Sequence, residues 1–83
     1  MEFFEGQVVR SRAGHDKDLF FVILSLESTS AVICDGKTRK LEKPKKKNLK
    51  HLCPTHLTLS EDHLKTNKQI RTSLRELTRA ERA

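Results

Sequence analysis

The chain has no tryptophan and no tyrosine, and phenylalanine supplies only four of its 83 residues. Aromatic side chains build most grooves for proline-rich peptides, most cages for methylated lysine and most stacking surfaces for single-stranded nucleic acid. Their scarcity therefore disfavours these three modes of recognition. Charge and backbone shape remain as the means by which the chain would select a partner.

Cysteines and long apolar runs are also scarce. Cys34 and Cys53 are too few for a disulfide scaffold, and both lie in apolar contexts typical of reduced thiols. No apolar run approaches the roughly 20 residues that cross a bilayer, and residues 1–5 lack the cationic start of a signal peptide. We expect a cytoplasmic protein with no membrane partner.

Signatures of catalysis and of metal binding are missing as well. The chain has no glycine-rich phosphate loop, no Ser/His/Asp context and no carboxylate pair in an apolar setting. His51, Cys53 and His56 invite a zinc hypothesis, but their spacing matches no common zinc finger. We expect no enzymatic activity, no small-molecule substrate, no cofactor and no metal.

Positive charge is concentrated in one segment. Lysine and arginine total 17 against 11 acidic residues, for a net charge of +6. Positions 37–51 hold eight basic residues and one acid, so this segment carries +7 and the rest of the chain −1. Such runs are often solvated surface or disordered tail, but turn and apolar signals flank this one and indicate display on a fold. An anionic partner is expected: nucleic acid, an anionic membrane or an acidic protein.

The first half of the chain predicts β-structure, because β-branched and aromatic residues cluster in short runs between turn-formers. Residues 7–11 form one candidate strand. Residues 19–26 form the strongest, since a nearly unbroken apolar run is typical of a central strand covered on both faces. Asp-Gly at 35–36 joins the run 30–34 to 37–41 and predicts a type I′ hairpin that delivers the basic segment.

The middle of the chain predicts a loop and one more strand. Pro44 and the lysines after it predict a solvated loop over 44–48, because proline lacks the ladder donor and like charges repel. Residues 49–56 predict a last short strand, with Leu52 and Cys53 facing inward.

A helix is predicted over 66–80. Thr66 and Gln69 have the spacing of a capping box, and Ile70, Leu74 and Leu77 recur at intervals of four and three. This narrow apolar stripe is enough to dock the helix against β-structure. A cationic stripe beside it consists of Lys68, Arg71, Arg75, Arg79 and Arg82. That stripe is either a solubilising face or a second nucleic-acid contact.

Two parts of the sequence carry a resemblance to a known family. Residues 6–11 read Gly-Gln-Val-Val-Arg-Ser, residues 13–17 read Ala-Gly-His-Asp-Lys, and a hydrophobic strand follows; this pattern resembles a KOW motif. Residues 35–41 (Asp-Gly-Lys-Thr-Arg-Lys-Leu), with Pro44-Lys45 and Lys50-His51-Leu52, look like small bacterial KOW-domain RNA-binding proteins. These are related to a large-subunit ribosomal protein of archaea and eukaryotes.

The resemblance covers residues 4–59 and implies a fold as well as RNA binding. We expect a mainly β protein: a small SH3-like β-barrel of the KOW type over residues 1–57, with a C-terminal α-helical extension over 58–83. Asp18 departs from the family pattern, which usually has glycine there. Aspartate tolerates left-handed geometry less easily than glycine, so either the loop has changed shape or the residue costs some stability.

The candidate RNA contacts form three groups. The hairpin and loop patch comprises Lys37, Arg39, Lys40, Lys43, Lys45, Lys46, Lys47, Lys50 and His51. The first loop, where the resemblance implies nucleic-acid contact, contributes Arg10, Arg12, His15 and Lys17. The helix contributes Arg71 and Arg75. Lysines can act as flexible point charges on phosphate, whereas Arg39 can fork onto a phosphate or a guanine edge.

We therefore expect a monomeric, ribosome-associated RNA-binding protein that contacts structured ribosomal RNA of the large subunit and acts in translation. Two alternatives remain open. One is an SH3-like protein-interaction module that binds an acidic partner. The other is a transcription or translation factor that binds RNA without being a ribosome component.

Overall fold

The computed structural model describes residues 2–82, the side chain of Arg82 excepted. Five strands are followed by two helices. The strands are β1 (Gln7–Ser11), β2 (Phe20–Leu26), β3 (Ser30–Cys34), β4 (Lys45–Asn48) and β5 (Leu52–Thr58). The helices are α1 (Asn67–Leu77) and α2 (Arg79–Arg82), and single 3-10 turns occupy Leu49–His51 and Glu61–His63.

The five strands form one antiparallel sheet in the order β4-β3-β2-β1-β5. The expected mainly β class and the C-terminal helix are thus confirmed. The sheet itself is open, because no ladder joins β4 to β5 within residues 2–82. The division of the chain at 57/58 stays a prediction, and β5 runs one residue past it.

Strand β2 lies at the centre of the sheet and is covered on both faces, as its apolar run predicts. Phe20 and Val22 belong to one apolar cluster, which also includes residues of the helix. Phe21 and Ile23 belong to a second cluster on the opposite face. Alternate residues of a strand point to opposite faces, so a strand buried on both sides must be apolar throughout.

Helix α1 docks on the sheet through Ile70 and Leu74, which are buried among β-strand residues. The predicted Thr66 cap is confirmed, since its hydroxyl oxygen accepts a hydrogen bond from the backbone N–H of Gln69 at 3.1 Å. The helix ends earlier than expected, at Leu77. Leu77 is 37% exposed and does not belong to the core cluster that contains Ile70 and Leu74.

Two sequence-based expectations between β3 and β5 are wrong. Residues 37–41 form no strand; they belong to a turn held by Asp35, whose carboxylate accepts hydrogen bonds from the backbone N–H groups of Lys37 and Arg39. The partner of β3 is instead β4, the segment expected to be a solvated loop. A lysine strand is tolerated there because β4 is an edge, where side chains reach water and Pro44 precedes the ladder.

The last strand begins later than predicted. Residues 49–51 form a 3-10 turn capped by the side chain of Asn48, and β5 then runs Leu52–Thr58. Leu52 faces inward as expected and is buried, whereas Cys53 is only partly buried.

Candidate nucleic-acid interface

The loop between β3 and β4, residues 35–44, presents much of the basic segment. Asp35 organises it: one carboxylate oxygen accepts from the backbone N–H groups of Lys37 (2.9 Å) and Arg39 (2.8 Å), and the other accepts from the Thr38 hydroxyl (2.6 Å). Gly36 takes a φ of +76°, a left-handed conformation that glycine adopts without steric cost. The turn is therefore ordered by its own side chains.

Asn67, at the start of α1, holds this loop against the helix. Its amide oxygen accepts from the backbone N–H of Leu41 at 2.8 Å, and its amide nitrogen donates to the carboxylate of Glu42 at 2.7 Å. A Cβ atom on Gly36 would lie only 2.2 Å from the Asn67 carbonyl oxygen, so the two backbones are in direct contact there. We call this contact between Gly36 and Asn67 the loop–helix seam.

The first loop, residues 12–18, lies beside the same region. Its turn is closed by a hydrogen bond from the backbone N–H of Asp18 to the Ser11 carbonyl oxygen at 2.8 Å. Asp18 has a φ of +70°, and within residues 2–82 it is the one non-glycine residue with positive φ. The loop thus retains the left-handed geometry that suits a glycine, and the aspartate adopts it at some steric cost.

Three contacts bring together parts of the sequence that lie far apart. The Arg39 guanidinium donates to the Asp16 carboxylate at 3.0 Å. The ammonium of Lys47 donates to the Ala13 carbonyl oxygen at 3.0 Å. The backbone N–H of Arg12 donates to the His51 carbonyl oxygen at 2.8 Å. The first loop therefore adjoins the loop and strand that carry the basic segment.

Arg39 is held in place by this arrangement. Its pair with Asp16 is only partly exposed, with 31% of the Arg39 side chain and 7% of the Asp16 side chain accessible. The Arg39 Nε atom is buried and has no hydrogen-bond partner among the residues that the structure describes. One terminal nitrogen of the guanidinium thus donates to Asp16. A hydrogen bond from Arg39 to a phosphate or a guanine stays a prediction.

The cations between the loop and β4 face a shared depression of about 410 Å³. Its lining consists of Lys37, Thr38, Arg39, Lys40, Lys43, Pro44 and Lys45. Lys40, Lys43 and Lys45 form no salt bridge with any residue of the described chain. Lys46 differs, since it pairs with Glu27 at 2.8 Å on the surface, a contact worth about 0–1 kcal/mol. We call this depression the basic patch.

The remaining candidates are exposed residues outside the lining of the basic patch. Arg10, Arg12, His15 and Lys17 are exposed on β1 and the first loop, and Lys50 and His51 are exposed on the 3-10 turn. Arg10 occupies the register position between Phe20 of β2 and Cys53 of β5. None of these side chains has an ion-pair partner in residues 2–82.

The predicted cationic stripe of the helix is divided by its surroundings. Arg71 and Arg75 line a second depression together with Lys37 of the loop. Lys68 lines a different groove, which lies along Thr58 and Leu59. The guanidinium of Arg79 pairs with both carboxylate oxygens of Glu76, at 2.8 and 3.0 Å.

Two residues that organise the site escaped the sequence-based reasoning. Asn67 looks like an ordinary residue of a helix start, and the one available signal is its modest helix propensity at the first helical position. Asp16 appears in the sequence as a charge that offsets neighbouring cations, and only the fold shows that it faces Arg39.

The histidine, cysteine and acidic side chains of the described residues form no metal site, and the pKa of one cysteine is shifted. Within the described chain, no group of three or more histidine, cysteine or acidic side chains is placed to hold a metal ion. Burial raises the pKa of the Cys34 thiol to about 12, and the nearby Asp35 charge adds to the shift.

No helix of residues 2–82 is long and apolar enough to cross a membrane. No protein-family model and no curated protein matches the chain.

Proposed function

We propose that this protein is a non-enzymatic RNA-binding module of the SH3-like KOW type, which associates with the ribosome and contacts structured ribosomal RNA. The observation that carries the proposal is the convergence of the loop 35–44, strand β4 and the first loop on one cationic surface. The resemblance of residues 4–59 to KOW-domain proteins names the polyanion that such a surface would bind.

The chemistry of the patch suits a phosphate backbone. Lys40, Lys43 and Lys45 have no acidic partner within residues 2–82, so their charges are available to a ligand. Each phosphate that such a cation neutralises releases counterions, which contributes about 0.7 to 0.9 to the slope of log affinity against log salt. Lysines on flexible stems fix no base identity, so recognition would rest on backbone shape and phosphate spacing.

The step from an open sheet to an SH3-like barrel is part of the proposal. Both faces of the sheet carry apolar clusters, and the 3-10 turn Leu49–His51 leads the chain from one edge strand to the other. The bond from Lys47 to Ala13 joins edge strand β4 to the loop that follows β1, which is consistent with strong curvature of the sheet.

A pair of charge-matched variants tests the proposal. The patch variant carries Lys40→Gln, Lys43→Gln and Lys45→Gln, and the control carries Lys65→Gln, Lys68→Gln and Arg79→Gln. Both lose three positive charges, but the control residues lie outside the basic patch. We expect the patch variant to lose co-sedimentation with ribosomes while the control retains it. Equal retention by both variants would contradict the proposal.

In-cell crosslinking distinguishes the possible RNA partners. Wild-type protein crosslinked to RNA should yield fragments of large-subunit ribosomal RNA, and these should be depleted for the patch variant. Recovery of messenger RNA alone would favour a translation or transcription factor. An acidic protein partner would instead leave no enriched RNA.

A further inference from the structure

A second depression lies on the other side of the loop 35–44, between this loop and α1. It has a volume of about 230 Å³. Its lining combines three apolar residues, Leu19, Phe20 and Leu74, with a polar rim of Asp35, Lys37, Thr38, Arg71 and Arg75. Lys37 and Thr38 line this depression and the basic patch alike, so the two concavities share a wall.

The cations of this rim are unpaired, unlike others on the same protein. Lys37, Arg71 and Arg75 form no salt bridge within residues 2–82, whereas Arg79 of the same stripe pairs with Glu76. Arg71 and Arg75 are four residues apart on α1, where like charges repel each other and destabilise a helix. Placing Lys37 beside them adds to that repulsion, which a bound anion would relieve.

Asp35 is the one acid on the rim, and its carboxylate is occupied. It accepts three hydrogen bonds from its own turn, two from backbone N–H groups and one from the Thr38 hydroxyl. These bonds hold the carboxylate in its own turn, and it forms no salt bridge with Arg71 or Arg75. With three cations and one acid, the lining carries an excess of two positive charges.

The loop–helix seam fixes the relative position of the backbone segments that carry the three cations. A Cβ atom on Gly36 would lie 3.2 Å from the backbone nitrogen of Arg71, so the residue next to Lys37 contacts the turn that carries Arg71. Asn67 bonds the same loop to the helix through Leu41 and Glu42. A site whose backbone is fixed before binding loses less conformational entropy when the ligand arrives.

We propose that Lys37, Arg71 and Arg75 form a phosphate-binding notch that holds one backbone phosphate of the RNA bound to the basic patch. The inference rests on the proposed function and adds a second site of phosphate contact, next to the basic patch on the other side of Lys37 and Thr38. Arginine suits this role because its planar guanidinium can donate two parallel hydrogen bonds to phosphate oxygens.

RNA binding by helix variants tests the inference. Arg71→Gln/Arg75→Gln removes the two arginines of the notch, and Lys68→Gln/Arg79→Gln removes the same charge from elsewhere on the two helices. Because the notch holds one phosphate, we expect the notch variant to lower the log–log salt slope by about 0.7 to 0.9 and the affinity at 0.1 M salt about 5- to 10-fold. The control should change neither appreciably. Circular dichroism should find both folded, since the replaced side chains are exposed.

Titration of the wild-type protein with inorganic phosphate at low ionic strength tests the notch without RNA. We expect the NMR signals of the Arg71 and Arg75 Nε–H groups and of the Lys37 amide to shift well before that of Arg79. Shifts of equal size at all three arginines would overturn the notch as a phosphate site.

The two proposals fail in different ways. If the patch variant loses RNA while the notch variant keeps the full affinity and slope, the notch inference is wrong and the proposed function stands. If wild-type protein binds no RNA, the proposed function is wrong and RNA is not the source of the phosphate.

Discussion

The carboxylate of Asp16 and the guanidinium of Arg39 lie 3.0 Å apart although 23 residues separate them in the chain. This ion pair joins the first loop to the loop 35–44 and so sets the relative position of two groups of RNA-binding candidates. Arg39 thus has a structural part in the site, whatever it contributes to a ligand.

Removing Arg39 should destabilise the fold, because it leaves a nearly buried carboxylate without its partner. We expect Arg39→Ala to lower the free energy of unfolding by about 1–3 kcal/mol, measured by urea denaturation. Asp16→Ala and the double variant complete a double-mutant cycle. If the double variant loses the sum of the two single losses, the pair is not coupled and this interpretation of Asp16 is wrong.

The loop–helix seam predicts different costs for alanine at two glycines. Gly14 and Gly36 both have positive φ, but a Cβ on Gly14 would approach only the flexible Lys47 ammonium, at 3.7 Å. Left-handed geometry alone costs an L-residue about 1–2 kcal/mol, which we expect for Gly14→Ala. Gly36→Ala should cost more, because its Cβ meets the Asn67 backbone.

Thermal unfolding of both glycine variants measures the difference. The signature of the seam is a lower melting temperature for Gly36→Ala than for Gly14→Ala. Two equal melting temperatures would mean that the loop and helix are not held in contact.

Asp18 predicts a stabilising substitution. Asp18→Gly should raise the free energy of unfolding by up to about 1 kcal/mol, because glycine adopts the observed φ of +70° without steric cost. Asp18→Ala serves as the control, since it removes the carboxylate but keeps the Cβ atom. A glycine variant less stable than the alanine variant in urea denaturation would contradict a strained aspartate.

The two cysteines should differ in reactivity. Burial raises the pKa of Cys34 from its ordinary value of 9.0 to about 12, so this thiol stays neutral and covered at pH 8, whereas Cys53 is only partly buried. Iodoacetamide at pH 8 should therefore give one adduct per folded chain, at Cys53, and two in urea. Mass spectrometry of the digested protein locates the adducts. Labelling of Cys34 before Cys53 in the folded protein would contradict this prediction.

The raised pKa of Cys34 also predicts how the free energy of unfolding changes at high pH. The folded state favours the neutral Cys34 thiol, so its contribution to stability is present below about pH 9 and is lost as the pH rises toward 12. Cys34→Ala should remove that part of the alkaline loss in urea denaturation profiles.

Features that depend on local sequence were predictable here. The strand β2 follows from an apolar run, and the Thr66 cap follows from the spacing of a capping box. Strand β4 was not predictable, because Lys45–Asn48 has poor strand propensity and becomes a strand through its pairing with β3. The 37–41 strand fails because the Asp35 side chain bonds its own turn and ends β3 there.

Within the candidate site, the sequence identified the cations but not their arrangement. Arg79 has Glu76 three residues before it, so its pairing is a local feature of the sequence. Nothing local shows that Arg71 lines a depression with the loop, because this position depends on the docking of α1 and on the bonds of Asn67, both of which are tertiary.

The salt dependence of RNA affinity distinguishes binding by the basic patch from binding by net charge alone. Wild-type protein, the patch variant and its charge-matched control are titrated with a structured ribosomal RNA fragment from 50 to about 300 mM salt, a range over which counterion release dominates the affinity. We predict a steep slope for wild type and control, and a slope lower by about 2.1 to 2.7 for the patch variant, which lacks three cations. Equal slopes for the two variants would contradict this prediction, because RNA affinity would then depend on the net charge of the protein and not on the cations of the basic patch.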